Sequence, residues 1–144
     1  MNPKPPLCAA LSLLLLGCSA PLHLYPVQGP LAAQQPLPVL TARATGLTSG
    51  TISFTLPSGE ACAGPWAPIR PGQVEQSLAP TWDSVYGPGH YLAHVLGSQW
   101  HGQARLTGNQ GTRMHLEFYR DTVPDAPLQG VARDEAGNVY KVGP

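Results

Sequence analysis

Three stretches of this chain alternate apolar and polar residues and then close on a glycine-ended turn, a repetition that leaves few folds open. In Thr51-Ile52-Ser53-Phe54-Thr55-Leu56 every second residue is apolar, as a strand with one buried face requires. Pro57-Ser58-Gly59 follows. Pro early in a type I turn and Gly in the left-handed position make a three-residue hairpin loop. That loop opposes Leu56 to Glu60, Phe54 to Cys62 and Ile52 to Gly64, so Cys62 points into the core.

The second hairpin fixes its own register. Trp100, Gly102, Ala104 and Leu106 alternate with polar residues, as do Met114, Leu116 and Phe118. A two-residue loop would oppose Leu106 to Arg113 and put the two apolar sets on opposite faces of the sheet. The loop Asn109-Gln110-Gly111 instead pairs Leu106 with Met114 and Ala104 with Leu116. On the other face it opposes Arg105 to His115, Gln103 to Glu117 and His101 to Tyr119, a row that reads as solvated cross-strand pairs or as a polar ligand platform. Near the C-terminus Glu135-Ala136-Gly137 does the same and sets Ala132 opposite Tyr140. The predicted fold is all-β: a small antiparallel meander forming a barrel or a sandwich. The 16 Gly and 17 Pro suit tight turns and extended segments better than long helices.

Between the first two hairpins the alternation stops. Ala67 to Gly89 carries Pro68, Pro71, Pro80 and Pro88, with Gln73 to Ala79 able to hold a helical turn or two. His90 to Leu96 reads as a strand, with a short helix as the alternative. Long loops on rigid scaffolds often carry function, so Trp82, Tyr86, His90 and Tyr91 are the candidate binding residues. The alternative is that these rings cap one end of the sheet.

At the N-terminus, Lys4 precedes an apolar run from Leu7 to Leu16 that is too short to cross a membrane, which takes about 20 helical residues. It fits a secretory signal. Leu15-Leu16-Gly17-Cys18 resembles the bacterial lipobox. The resemblance implies a signal peptide over residues 1–17 and a mature chain that begins at Cys18, acylated with palmitate-type chains. The alternative is an ordinary signal peptide with a chance cysteine. Several acyl chains make a lasting attachment, at roughly 0.8 kcal/mol per buried CH₂. By the same resemblance Ser19, where an Asp would hold the protein at the inner membrane, favours the outer membrane and its periplasmic face.

Five prolines between Pro21 and Pro38 suggest that residues 18–40 form an extended tether, with residues 41–144 as the β domain. At about 3.1 Å per residue such a tether would reach roughly 60 Å. The alternative has Leu22 to Val27 packing on the domain as an edge strand.

Charge and cysteine count narrow the function. Without Lys4 the mature chain has seven basic and eight acidic side chains, which argues against a nucleic-acid partner. Cys8 leaves with the signal and Cys18 carries the lipid. Cys62 therefore remains as a buried thiol, an intermolecular link or a reactive group. A nucleophilic Cys62 would need a histidine beside it. His90 and His94 have the spacing of a metal pair on a helix but would lie about 13 Å apart on a strand, and no third ligand follows at motif spacing. No Gly-x-Ser-x-Gly elbow, paired carboxylates or phosphate-binding glycine loop is present in the sequence, and no cofactor is implied.

Gly50 to Trp66, Tyr86-Gly87-Pro88-Gly89-His90-Tyr91, Leu106 to Thr112 and Gly130 to Tyr140 resemble segments of a group of small proteobacterial outer-membrane lipoproteins of unknown function. Similar chains often have a cysteine in the last hairpin, where this one has Ala132. That departure would leave Cys62 unpaired. The resemblance implies compartment and fold but no activity. The function expected is a membrane-anchored envelope lipoprotein, a binding or structural module with an envelope protein or glycan as partner. A periplasmic enzyme or thiol protein using Cys62 is the alternative, and a metal-binding protein using His90 and His94 is a further one.

Overall fold

The computed structural model describes residues 19–70 and 78–144. The signal segment, Cys18 and most of the turn expected over Gln73 to Ala79 lie outside the described residues. Eight antiparallel strands follow one another around a closed barrel: β1 (Ser19–Gln28), β2 (Leu40–Thr45), β3 (Gly50–Thr55), β4 (Ala61–Pro68), β5 (Trp100–Gly108), β6 (Arg113–Arg120), β7 (Leu128–Asp134) and β8 (Val139–Gly143). Of the two all-β arrangements expected, the barrel is the one formed.

The hairpin registers follow from loop length as the sequence requires. Phe54 pairs with Cys62, Leu106 with Met114, Ala104 with Leu116 and Ala132 with Tyr140. Gly59, Gly111 and Gly137 have φ of 88°, 101° and 89°, the left-handed region that glycine enters without a Cβ penalty. Inward-facing Leu24, Ile52, Leu106, Leu116, Tyr140 and Val142 are all but fully buried. They fill the middle of a barrel whose eight strands leave just enough room for side chains.

The tether expected over residues 18–40 is corrected by the first strand. β1 pairs with β2 from Ser19↔Thr45 to Leu24↔Leu40, and with β8 from His23↔Gly143 to Gln28↔Val139. It is neither tether nor edge strand but the element that closes the barrel. Leu22 and Leu24 face the core, and burying each contributes about 1.5–3 kcal/mol. The prolines are accommodated where a missing N–H is tolerated: Pro21 lies beyond the β1–β8 ladder and Pro26 at its register shift. Residues 29–39 connect β1 to β2 through a short 3-10 turn, Leu31–Ala33.

The excursion between β4 and β5 is helical where it is described. Helix α1 (Ala79–Tyr86) has a proline in its first turn, where the absent N–H would have been unpaired in any case. It ends at Gly87, whose φ is 113°. Tyr91–Val95 then forms one π-helical turn, correcting the strand expected over His90 to Leu96. Gly89 and Gly97, both at positive φ, bracket this turn, and Asp83 Oδ1 accepts the N–H of Tyr91 at 3.0 Å. Together α1 and the turn cover the outer face of β6 and β7 with a second apolar cluster centred on Trp82, Tyr91, Val95, Tyr119 and Val131.

Candidate binding site at the open end of the barrel

The two ends of the barrel differ in chemistry. At one end the three tight hairpins meet, and buried polar side chains seal it. Glu60 Oε1 accepts the N–H groups of Gln110 and Thr112 at 3.0 and 2.9 Å, and its Oε2 accepts the Thr112 hydroxyl at 2.7 Å. These bonds, led by that from the Thr112 backbone, hold the Glu60 carboxyl below its ordinary pKa. Gly108 leaves the space: a Cβ there would lie 1.9 Å from Glu60 Oε1. Beside it Asp134 accepts from the backbone and side-chain amide of Asn138 and from the Tyr140 hydroxyl, each at 2.9 Å. Asn138 Oδ1 in turn accepts the N–H of Leu31 at 2.9 Å, which ties the β1–β2 connection across this end.

The other end is open. The start of β1, the β2–β3 turn, the start of β5 and the β6–β7 loop surround a cavity of about 760 Å³, within the range of about 300–1,000 Å³ usual for small-molecule sites. Leu22, Ile52, Trp66, Phe118 and Leu128 line its inner part. The Phe118 ring lies over Gly102, where a Cβ would come 2.4 Å from Cζ. It meets Trp66 edge-on, with ring centroids 5.7 Å apart and planes at 72°. Trp66 is fixed by its Nε1–H, which donates to the carbonyl of Thr45 at 2.8 Å. The site thus has an aromatic wall held by backbone contacts. Around it Leu47, Trp100 and Val123 are 84%, 63% and 61% exposed, with Arg120, Asp121 and Thr122 beside them.

The ring residues expected to bind do other work. Trp82 and Tyr91 are buried, and Tyr86 is half-buried with its hydroxyl donating to the Gly130 carbonyl at 3.1 Å. Burial pushes the Tyr86 and Tyr91 phenols up to about 12. His90 stacks against Trp82 and Tyr86, with centroids at 5.8 and 4.8 Å. Burial, then the neighbouring His94, lowers its pKa, while Asp83 opposes the shift. For Trp82 and Tyr91 the binding role is corrected to packing, because α1 places Trp82, and the π-helical turn places Tyr91, against Tyr119 and Val131 on the sheet. His90 and His94 do come together, at 4.8 Å between centroids, because the segment is helical. Among the described residues no group of three or more His, Cys, Asp and Glu side chains could hold a metal ion.

The row expected to be solvated divides in two. Arg105 is exposed and His115 half-buried, but His101 and Glu117 are only 4% and 1% exposed and pair at 2.5 Å between Nε2 and Oε1. The Tyr91 ring sits edge-on to His101, 6.5 Å between centroids. Sequence register placed His101 and Glu117 diagonally across the hairpin, but it could not reveal that the excursion covers them. Cys62 lies inside the barrel as a free thiol, with its pKa raised first by burial and then by Glu60 and Asp134.

No family model matches the chain, and the comparisons with curated proteins and with solved structures found no match. The aromatic pocket could not have been read from the sequence as a site, since Trp66 meets Phe118 across Gly102 only when β4, at the far side of the excursion, pairs with β5. The one available signal was glycine at position 102, set between the inward positions of Trp100 and Ala104 and opposite Phe118.

Proposed function

We propose that this chain is a lipoprotein of the bacterial cell envelope, acylated at Cys18 and held at the periplasmic face of the outer membrane, whose barrel is a binding module for an amphiphile. One observation carries the binding reading: the barrel is sealed by polar hydrogen bonds at one end and open onto an apolar, aromatic-walled cavity at the other. An apolar tail displaces water from such a pocket at a gain of roughly 25 cal/mol per Å² buried. Arg120, Asp121 and Thr122 at the rim supply polar groups for a head. The lipobox-like Leu15-Leu16-Gly17-Cys18 supports the anchor, and the small polar-rimmed site accommodates an amphiphile better than the glycan or protein surface expected from the aromatic excursion.

Titration of the full chain with a fluorescent naphthylamine probe tests the site. Its emission should rise saturably on binding. Ala44→Phe, at a half-buried position lining the cavity, should remove at least nine-tenths of that signal while the thermal midpoint stays within a few degrees. Equal binding by the variant would refute the assignment.

A further inference from the structure

We infer that the barrel stands mouth-down on the bilayer that holds its anchor, with Leu47, Trp100 and Val123 entering the lipid surface. The inference rests on the proposed acylation of Cys18 and adds what that acylation does to the orientation of the domain. Strand β1 begins at Ser19, the residue after Cys18, and consecutive Cα atoms are about 3.8 Å apart. The acyl chains therefore leave the protein within one residue of a barrel strand, with no spacer between anchor and domain.

The end from which they leave is the open one. Ser19 pairs with Thr45, and the next residues, Gly46, Leu47 and Thr48, form part of the rim of the cavity. A chain anchored there cannot turn its sealed end to the membrane without swinging the whole barrel about a single residue.

Surface chemistry favours the same orientation. Around the open end, Leu47, Trp100 and Val123 come from three different loops or strand ends and are exposed to 84%, 63% and 61%. At the sealed end the hairpin tips are Pro57-Ser58-Gly59, Asn109-Gln110-Gly111 and Glu135-Ala136-Gly137. Leu37 and Val39, in the β1–β2 connection, are only 45% and 47% exposed. Tryptophan is favoured at membrane interfaces because an apolar ring and a polar N–H suit the headgroup boundary. Arg120 and Asp121 at the rim offset each other, so the contact depends on apolar insertion more than on lipid charge. In this orientation the cavity opens toward acyl chains, and an amphiphile can enter it from the membrane without crossing water.

The test uses the full chain, processed in a bacterial host and reconstituted into phosphatidylethanolamine–phosphatidylglycerol vesicles, with acylation of Cys18 checked by mass spectrometry. Leu47→Cys and Val123→Cys report on the mouth; Ser58→Cys and Gln110→Cys report on the sealed end. Each carries an environment-sensitive nitrobenzoxadiazole label, attached to the folded protein so that buried Cys62 is spared. The expected result is a several-fold brighter, blue-shifted emission at 47 and 123, quenched by spin-labelled lipid, with water-like spectra at 58 and 110. Brominated lipid should also quench the tryptophan emission of the unlabelled chain, and less so in Trp100→Phe. Water-like spectra at all four positions, or lipid contact at 58 and 110, would overturn the orientation. A chain not acylated at Cys18 would overturn the anchor and the orientation together, whereas an acylated chain with a water-exposed mouth overturns the orientation alone and leaves the binding reading standing.

Discussion

Replacing His101 with Ala should damage this protein more than the loss of one imidazole suggests. His101 and Glu117 lie between the sheet and the helical excursion at 4% and 1% exposure, and Glu117 Oε2 has no hydrogen-bond partner among the described residues. Removing the imidazole leaves the carboxylate buried without its one hydrogen-bond partner among the described residues, a change that costs about 3–5 kcal/mol in comparable buried pairs. A typical domain has about 5–15 kcal/mol in total, so a third or more of its stability is at stake. Replacing both residues with Leu removes the charge and its desolvation penalty together, and such exchanges are often close to neutral. Urea unfolding of the wild type, both single variants and the double variant completes the cycle. His101→Ala should cost at least about 3 kcal/mol, and His101→Leu/Glu117→Leu should recover most of the loss. A single-variant cost near ~1 kcal/mol, typical of exposed pairs, or a double variant no better than the single, would refute the argument.

Two other measurements examine the sealed end and the core. Because its hydrogen bonds hold Glu60 below its ordinary pKa of 4.5, its contribution to stability is complete above that value and is lost as pH falls through the lowered folded value. Glu60→Gln should therefore show a shallower acid limb in stability against pH than wild type; an unchanged slope would remove Glu60 from the account. Cys62, buried with a raised pKa, should resist alkylation in the native protein and react fully in denaturant. Rapid native labelling would revive the thiol-protein alternative.

How much was legible in the sequence depended on whether the information was local. Hairpin register was, because the turn Asn109-Gln110-Gly111 and the alternation on either side of it allow one loop length to align the apolar faces, and the same logic placed Cys62 opposite Phe54. Barrel closure was not. Leu22 and Leu24 alternate with His23 and Tyr25 as a strand should, but Pro21 and Pro26 mask the pattern until the β8 pairing is known to leave Pro21 outside its ladder and to shift register at Pro26. His90 to Leu96 contains too few residues for period alone to separate strand from helix. The deciding contacts come from Asp83, seven residues before His90, and from the positive φ of Gly89 and Gly97. The rings of Trp82 and Tyr91 looked available because they lie on a long loop, yet their partners Tyr119 and Val131 stand on strands far along the chain. The cavity depends on still more distant pairs, with Trp66 and Phe118 brought together across β5 and Gly102 clearing the space between.

Photo-crosslinking with a diazirine-bearing fatty acid bears most directly on the barrel as a binding module. The label should attach to peptides containing Trp66, Phe118 and Leu128, and excess unlabelled fatty acid should compete it away. Adducts confined to the outer face over α1, or adducts at the mouth that unlabelled fatty acid fails to displace, would contradict it.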